Sequence, residues 1–380
     1  MSANSPTPFT GPQLLLPFAA CAAEAWLPTM KALPAGATRQ LAQLLKGMKS
    51  VHTDEADAHT LSPPHERALG RALGIADSIT PDGLIPWAAR DAALHLPAAA
   101  GKAWAWIAPC HWAMGREHAT LTDPAALGLQ EGESRALLAA MQPYFVDDGI
   151  TLHYVPALGP SRWLAEGELF RQLPTASLDR VLGRNVDPWL PKQDKNDPKG
   201  TARKMKLLQN EMQMLLYTHA LNDERAARRL LPVNSFWLSG TGALDFLPLP
   251  LGEGGGEGQR PSIHSRPADT APIQPSAEVR RPSPLTPTLS QGEREKIAVP
   301  RSLAQAVFAD DWTAYAQAWA ALDANEITAL LARQRAGETV RLTLCGERGA
   351  VTFETGHDGF FARIASALAP TPLLKVLEPL

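Results

Sequence analysis

Residues 103–109 read AWAWIAP, a strict alternation of small or aliphatic side chains with tryptophan. A period of two marks a strand, because successive side chains point to opposite faces. Pro109 has no N–H to give to a ladder and is expected to end the strand. Residues 119–122 (ATLT) are placed to pair with it. Asp123-Pro124 then reads as a helix cap followed by proline in the first turn. The stretch 131–141 carries Leu137, Leu138 and Met141 on one face, an amphipathic helix. Strand giving way to helix is the unit from which α/β proteins are built.

The same reading extends both ways. Toward the N-terminus, 13–18 (QLLLPF) is a short apolar run consistent with a central strand, and 38–48, 64–73 and 82–96 have helical patterns. The stretch 50–64 is polar and is expected to be irregular. Toward the C-terminus, 149–155 and 232–238 read as strands, and 202–216 is a long helix with Met205, Leu208, Met212 and Leu215 on one side. Residues 303–308, 312–322 and 360–368 read as helices, and 340–345 with 350–354 as a hairpin. The sequence therefore predicts an α/β fold, with a mixed, mainly parallel sheet flanked by helices.

Residues 1–12 are polar and proline-rich, which predicts a loose tail. Residues 247–296 are rich in Pro, Gly and Ser, with no aromatics and no periodicity. Such a stretch buries too little apolar surface to offset the entropy of ordering it, which predicts a disordered insert. The expected organisation is one α/β domain made of 13–246 and 297–380.

The chain has 380 residues, 45% hydrophobic and 20% charged, so it can bury a sizeable core. A net charge of −3 gives no overall positive field to attract nucleic acid or anionic lipid. The N-terminal run 14–21 has no Lys or Arg before it and is too short to span a bilayer. Three cysteines, far apart and forming no CxxC pair, argue against a disulfide framework or a structural zinc site. A reducing, cytoplasmic setting fits best. The ten tryptophans are expected mostly in the core.

Four clusters have side chains suited to chemistry. His111 and His118 follow the 103–109 strand together with Cys110, Glu117 and Asp123, and histidine is a frequent acid/base and metal ligand. Asn234 leads into Ser239-Gly240-Thr241-Gly242, where glycines after a strand would let backbone N–H groups approach an anion. Arg180 and Arg184 stand four apart and would share a helix face, suited to clamping a phosphate or carboxylate, or else solvated beside Asp179. Gln209 to Gln213, with His219, Asn222 and Asp223, place polar groups along and beyond the long helix; Asn222 or Asp223 is expected to cap a helix over 224–231. No P-loop, GxSxG, GxGxxG, HExxH or EF-hand pattern occurs, so a divalent metal has no ligand motif to support it. Asp82-Gly83 reads as a turn.

Several segments together resemble one bacterial family. They are LLLPFA (14–19), DGLIPWA (82–88), APCHWAMGREHATLTDP (108–124), ESRALLAAMQPYFVDDGITL (133–152), PTASLDRVLGRNVDPWLP (174–191), LQNEMQMLLYTHALNDER (208–225), PVNSFWLSGTG (232–242) and RLTLCGER (341–348). This set is similar to the regulatory protein RpfE type family, whose members are often labelled phosphoglycerate mutase or its cofactor-independent form. The resemblance implies an alkaline-phosphatase-like α/β fold, a Ser or Thr nucleophile, and two divalent metals held by Asp and His. One of those Asp closes the first strand in that superfamily; here the strand runs out into Pro17-Phe18-Ala19-Ala20.

The expectation is a divergent phosphoglycerate-mutase-like protein. Its cleft would use His111 and His118 as acid/base, with Arg180, Asn234, Ser239, Gly240, Thr241 and Gly242 holding a small phosphorylated or carboxylated metabolite. The alternative is a non-enzymatic regulatory or ligand-binding protein that kept the fold after losing its metals. Neither reading names a protein partner.

Overall fold

The strand around residues 103–109 is longer than its alternation predicts. In the computed structural model, which describes residues 9–192, 200–244, 296–355 and 373–380, it runs Ala103–Met114 and passes straight through Pro109. The reason is local. Its pairing with Trp163–Glu166 ends at Ile107, and its pairing with Ala119–Thr122 begins at His111. Pro109 sits in that gap. The Cys110 carbonyl accepts from Asn234 N on the opposite edge, so the next residue back faces the gap. A missing N–H costs nothing there.

The strands in chain order are β1 (Gln13–Leu16), β2 (Met48–Glu55), β3 (Ala103–Met114), β4 (Ala119–Thr122), β5 (Thr151–His153), β6 (Trp163–Glu166), β7 (Ser235–Ala243), β8 (Ile297–Ala298), β9 (Arg341–Cys345) and β10 (Gly349–Thr355). They form two sheets. One has the order β2-β10-β9-β1-β8; the other is β4-β3-β6-β5, with β7 on the remaining edge of β3. The helices are α1 (Trp26–Lys31), α2 (Arg39–Lys46), α3 (Pro64–Ala72), α4 (Trp87–His95), α5 (Glu131–Asp147), α6 (Leu178–Val181), α7 (Thr201–Tyr217), α8 (Ala220–Ala227), α9 (Ser302–Phe308), α10 (Trp312–Leu322), α11 (Thr328–Arg335) and α12 (Leu373–Leu377).

The mixed α/β class is what the sequence predicts, but parallel pairing is the minority. Among the described residues the parallel ladders are those of β1 with β8 and β9, beside one isolated parallel bridge between Leu121 and Leu182; the other ladders are antiparallel. Short turns such as the one between β3 and β4 can join only antiparallel neighbours, whereas β1 reaches its parallel partners through long crossovers. The predicted hairpin is β9–β10.

Layering follows from the alternation. Leu14 and Leu16 pack with α1, α2, α10 and α11, while Leu15 faces the opposite side with Ala68 and Leu69 of α3 and Trp87 of α4. Trp104 and Trp106 of β3 belong to that same inner cluster. Ala103, Ala105 and Ile107 turn the other way, onto α5 and α7. Helices α3 and α4 therefore lie between the two sheets. Five of the tryptophans, Trp87, Trp104, Trp163, Trp237 and Trp319, are among the largest fully buried side chains.

Other departures have plain causes. The polar stretch expected to be irregular forms β2, an edge strand antiparallel to β10 with a register shift at Thr352/Phe353. An exposed edge keeps polar side chains that discourage further pairing. Ser239 to Gly242 do not form a turn; β7 runs through them. The helix expected at 224–231 starts earlier, at Ala220, with His219 accepting from Leu221 N as its cap. Asn222 instead donates to the Leu216 and Val233 carbonyls and accepts from Val233 N. The expected tail lies mostly outside the described residues. So do all but the last residue of the 247–296 insert and the whole of the 360–368 helix.

Candidate functional site

Helix α3 begins at Pro64, so its first turn points between the sheets and carries His65 and Glu66 inward. Opposite it, the loop after β6 leads into the single turn α6, with Ser177 as its cap and Asp179 in its first turn. Two contacts join these segments side by side. Ser177 Oγ donates to Glu66 Oε1 at 2.6 Å, and His65 Nε2 stands 2.9 Å from Asp179 Oδ2. Arg301, just past β8, donates to the same Asp179 oxygen at 2.6 Å. Because β8 is parallel to β1, Arg301 and Phe18 both stand beyond the carboxyl ends of parallel strands, where α/β sheets place their ligands. The Phe18 ring lies 5.8 Å from that of His65. Phe18 has a φ of 55°, a left-handed backbone unusual for a bulky residue.

Two further guanidiniums complete the cluster. Arg162, on the segment entering β6, lies 4.2 Å over the Trp106 ring. Arg180 donates to the Glu347 carbonyl at 2.7 Å and to Thr60 Oγ1 at 3.0 Å. All of these side chains are buried: His65, Glu66, Arg162, Ser177, Asp179, Arg180 and Arg301. Asp91 and Arg90 are buried on α4 nearby; Asp91 accepts from Trp106 Nε1 at 3.0 Å.

Burial and neighbouring charge set the ionisation. Burial, assisted by the Asp179 charge, pushes Glu66 up to about 7. Burial holds His65 below the usual histidine range, with Arg301 and Arg180 acting in the same direction. For Asp179, burial acts to raise the carboxyl, but Arg301 and the His65 hydrogen bond together outweigh it and hold it below the usual range. Arg180 is lowered to about 10, first by burial and then by Arg67, and stays charged at neutral pH. A neutral His65 that donates from Nε2 presents Nδ1 as an acceptor. That atom has no protein partner, nor have Asp179 Oδ1, Arg180 Nε and Arg301 Nε. Buried polar atoms are nearly always satisfied by protein, water or ligand, so this concentration marks a place built for something polar.

Glu66, Ser177 and Arg162 line a cleft with Ser62, Trp106, Ser239 and Gly240. Its volume is about 20 Å³, enough for about one ordered water. At Ser62 and Ile85 it adjoins an outer groove of about 370 Å³ bounded by β2, α3 and residues 76–82, with Asp54, Arg67 and Arg71 on its wall.

The residues expected to form the site are divided by this geometry. Ser239 and Gly240 line the cleft, and Arg180 is buried outside its lining, engaged with the Glu347 carbonyl and Thr60. Arg184 lies beyond α6, which ends at Val181, and pairs with Glu347 at the surface, so no helix face is shared with Arg180. Asp179, expected to be solvated, is buried. Thr241 is buried and engaged with the Leu173 carbonyl at 2.6 Å and Thr175 Oγ1 at 2.9 Å. Gly242, at φ 140°, backs onto Pro86. His111 stands at the far end of the β3–β7 ladder from Ser239, five residues and about 16 Å along the strand from Trp106, with Nδ1 3.0 Å from the Pro232 carbonyl. His118 is exposed beyond β3. Asn234 clasps the Trp112 backbone at both its N–H and its carbonyl. Asp82 accepts from the N–H groups of Leu61 and Ser62, which makes it a loop tie.

His65, Glu66, Arg162, Ser177 and Arg301 were not singled out by the sequence reading. One signal was available: two ionisable residues in the first helical turn after Pro63-Pro64, on a helix whose next turn supplies core residues. Among the described residues, no group of three His, Cys, Asp or Glu side chains could hold a metal ion. The donor set of the described residues thus does not fit the two metals that the family resemblance implies; the cation lining the cleft is the Arg162 guanidinium. No helix among the described residues is long and apolar enough to cross a membrane.

The fold and cleft define a mixed α/β protein with a buried, arginine-rich site between two sheets. No family model matches the chain, and no curated protein matches it. Among solved structures it is similar to a cofactor-independent phosphoglycerate mutase from Thermoplasma acidophilum, at 14% identity and a TM-score of 0.35, over 97% of this chain and 99% of that one. It is also similar to a protein from Pyrococcus horikoshii, at 9% identity and a TM-score of 0.40, over 91% of this chain and 88% of that one.

Proposed function

We propose that this chain binds a small phosphorylated or carboxylated metabolite in the outer groove, with one oxygen of its anionic group reaching into the water-sized cleft. The observation that carries the reading is the lining of the cleft, where the buried Arg162 guanidinium shares the wall with Glu66, which burial pushes up to about 7. Ser177, Ser239 and the backbone at Gly240 line the same space and provide hydroxyl and amide groups to orient its oxygens. The outer groove has the size usual for a metabolite site.

The family resemblance suggests phosphoglycerates as the first ligands, and a divergent phosphoglycerate-mutase-like protein as the finer reading. A ligand-binding or regulatory protein is the second reading. It is favoured by the donor set of the described residues, which lacks the grouping that two divalent metals need. Calorimetric titration of the purified chain with 3-phosphoglycerate, beside a coupled assay for its interconversion with 2-phosphoglycerate with and without manganese, separates them. Binding and turnover support the mutase reading. Binding without turnover supports the second. Absence of binding by phosphoglycerate, sulfate and simple carboxylates overturns the anion site itself.

A further inference from the structure

We propose that the cleft takes up an oxygen of the bound anion together with one proton, and that Glu66 is where the proton lands. This rests on the anion-binding reading and specifies the charge state of that same site.

The geometry leaves little choice. Glu66 and Ser177 share the wall of a cleft of about 20 Å³ with Arg162. An ionised Glu66 offers only acceptors, and a second anion in so small a space would meet it with like charge. Ser177, 2.6 Å away, gives its proton to that carboxylate and shows the cleft a lone pair. Protonation of Glu66 reverses the pair. The carboxyl becomes a donor to Ser177 Oγ, and the hydroxyl hydrogen is released to the incoming oxygen. One proton from solvent thus converts two acceptors into a donor chain and removes a negative charge. Arg162, on the same wall, faces the incoming oxygen with its guanidinium.

The groups facing Glu66 are consistent with this assignment. Ser177, Asp179 and Arg180 face it from α6, Arg301 from the segment after β8, and Arg162 from the segment entering β6. Asp123 stands near Asp179 and Arg301, and Asp91 near Arg162. Asp179 is fixed as the counter-ion of Arg301. His65, the other titratable group of the pairings, spends Nε2 on Asp179 and does not line the cleft. Burial, with the Asp179 charge, already pushes Glu66 up to about 7, so the proton is available at neutral pH.

The test uses sulfate, a tetrahedral dianion that does not itself titrate near neutrality. Calorimetry of the full chain at pH 8 in Tris and in HEPES, buffers of different ionisation enthalpy, counts the protons. We expect uptake of close to one proton at pH 8, almost none at pH 6, and binding about tenfold tighter at pH 6 than at pH 8. Glu66→Gln, a neutral isostere, is expected to bind sulfate with no proton uptake and equally at both pH values. Sulfate binding to the wild-type chain at pH 8 without proton uptake overturns the proposal and leaves the anion site standing. Uptake that persists in Glu66→Gln moves the proton to another group, His65 first, and also overturns it. Failure of sulfate to bind at either pH removes the anion site and this inference together. If Glu66→Gln does not fold, the wild-type proton count still decides.

Discussion

His65 and Asp179 meet at 2.9 Å between the two sheets, and the residues beside them, Glu66 and Ser177, meet at 2.6 Å. A dipeptide at the start of α3 is thereby matched to a tripeptide at the start of α6. One pairing fixes a charge through Arg301; the other leaves a carboxyl near neutrality. The two acids are close enough that the Asp179 charge helps raise Glu66.

Asp179→Asn keeps the shape and removes the charge that Arg301 and His65 face. Breaking one side of a buried ion pair leaves the other uncompensated, and we expect a loss of about 3–5 kcal/mol. Urea denaturation measures it. Asp179→Asn combined with Arg301→Met should lose less than the two single changes added together; strict additivity would deny the coupling.

Stability should fall as pH rises from about 4.5 to about 7 through the Glu66 contribution. In that window the folded chain holds a proton that the unfolded chain has released, so unfolding is favoured by raising pH. The contribution is on the order of 3 kcal/mol across the window and constant above it. Asp179 works in the opposite sense but at lower pH, because its folded value is depressed. Glu66→Gln should flatten the slope between pH 5 and 7 in thermal melts; an unchanged slope would place Glu66 in a different environment.

Gly240→Ala should narrow the cleft. At φ 63° an L-residue is strained, and the added Cβ would come within 2.7 Å of the Trp106 ring. Trp106 in turn lies under the Arg162 guanidinium. We expect about 1–3 kcal/mol of destabilisation together with weaker sulfate binding. A stable variant with unaltered affinity would show that Trp106 yields freely.

Asn234→Ala should cost about 1–3 kcal/mol, since it leaves the Trp112 N–H and carbonyl without their partner. Differential scanning calorimetry gives the figure, and a shift within error would mean water replaces the amide.

Local patterns revealed the elements whose faces are both decided nearby. The alternation of Ala103 to Ile107 and the Met205–Leu208–Met212 stripe are read directly as a strand and a helix. The sequence is silent where long-range pairing decides. The polar β2 becomes a strand only because β10 lies alongside it. Pro109 is tolerated because two partners of β3 leave a gap there. The cleft was legible only in part. The Ser239–Gly240 pair belongs to a stretch with visible function-like chemistry and lines it, whereas Arg180 is buried outside its lining. His65, Glu66, Ser177 and Arg301 come from four segments that the fold alone brings together. His111 and Asn234 looked chemical and are tied to backbone instead.

The position of β1 bears on how the chain is made. Gln13 pairs with Ile297 on one side and Arg341 on the other, partners that are made long after it. At about 5–20 residues per second those partners arrive about 15–70 seconds later. Until then an apolar strand has both edges open. The nascent chain has a long window of vulnerability to aggregation, and chaperones that shield the N-terminal segment should raise its yield more than any stabilisation of the finished fold.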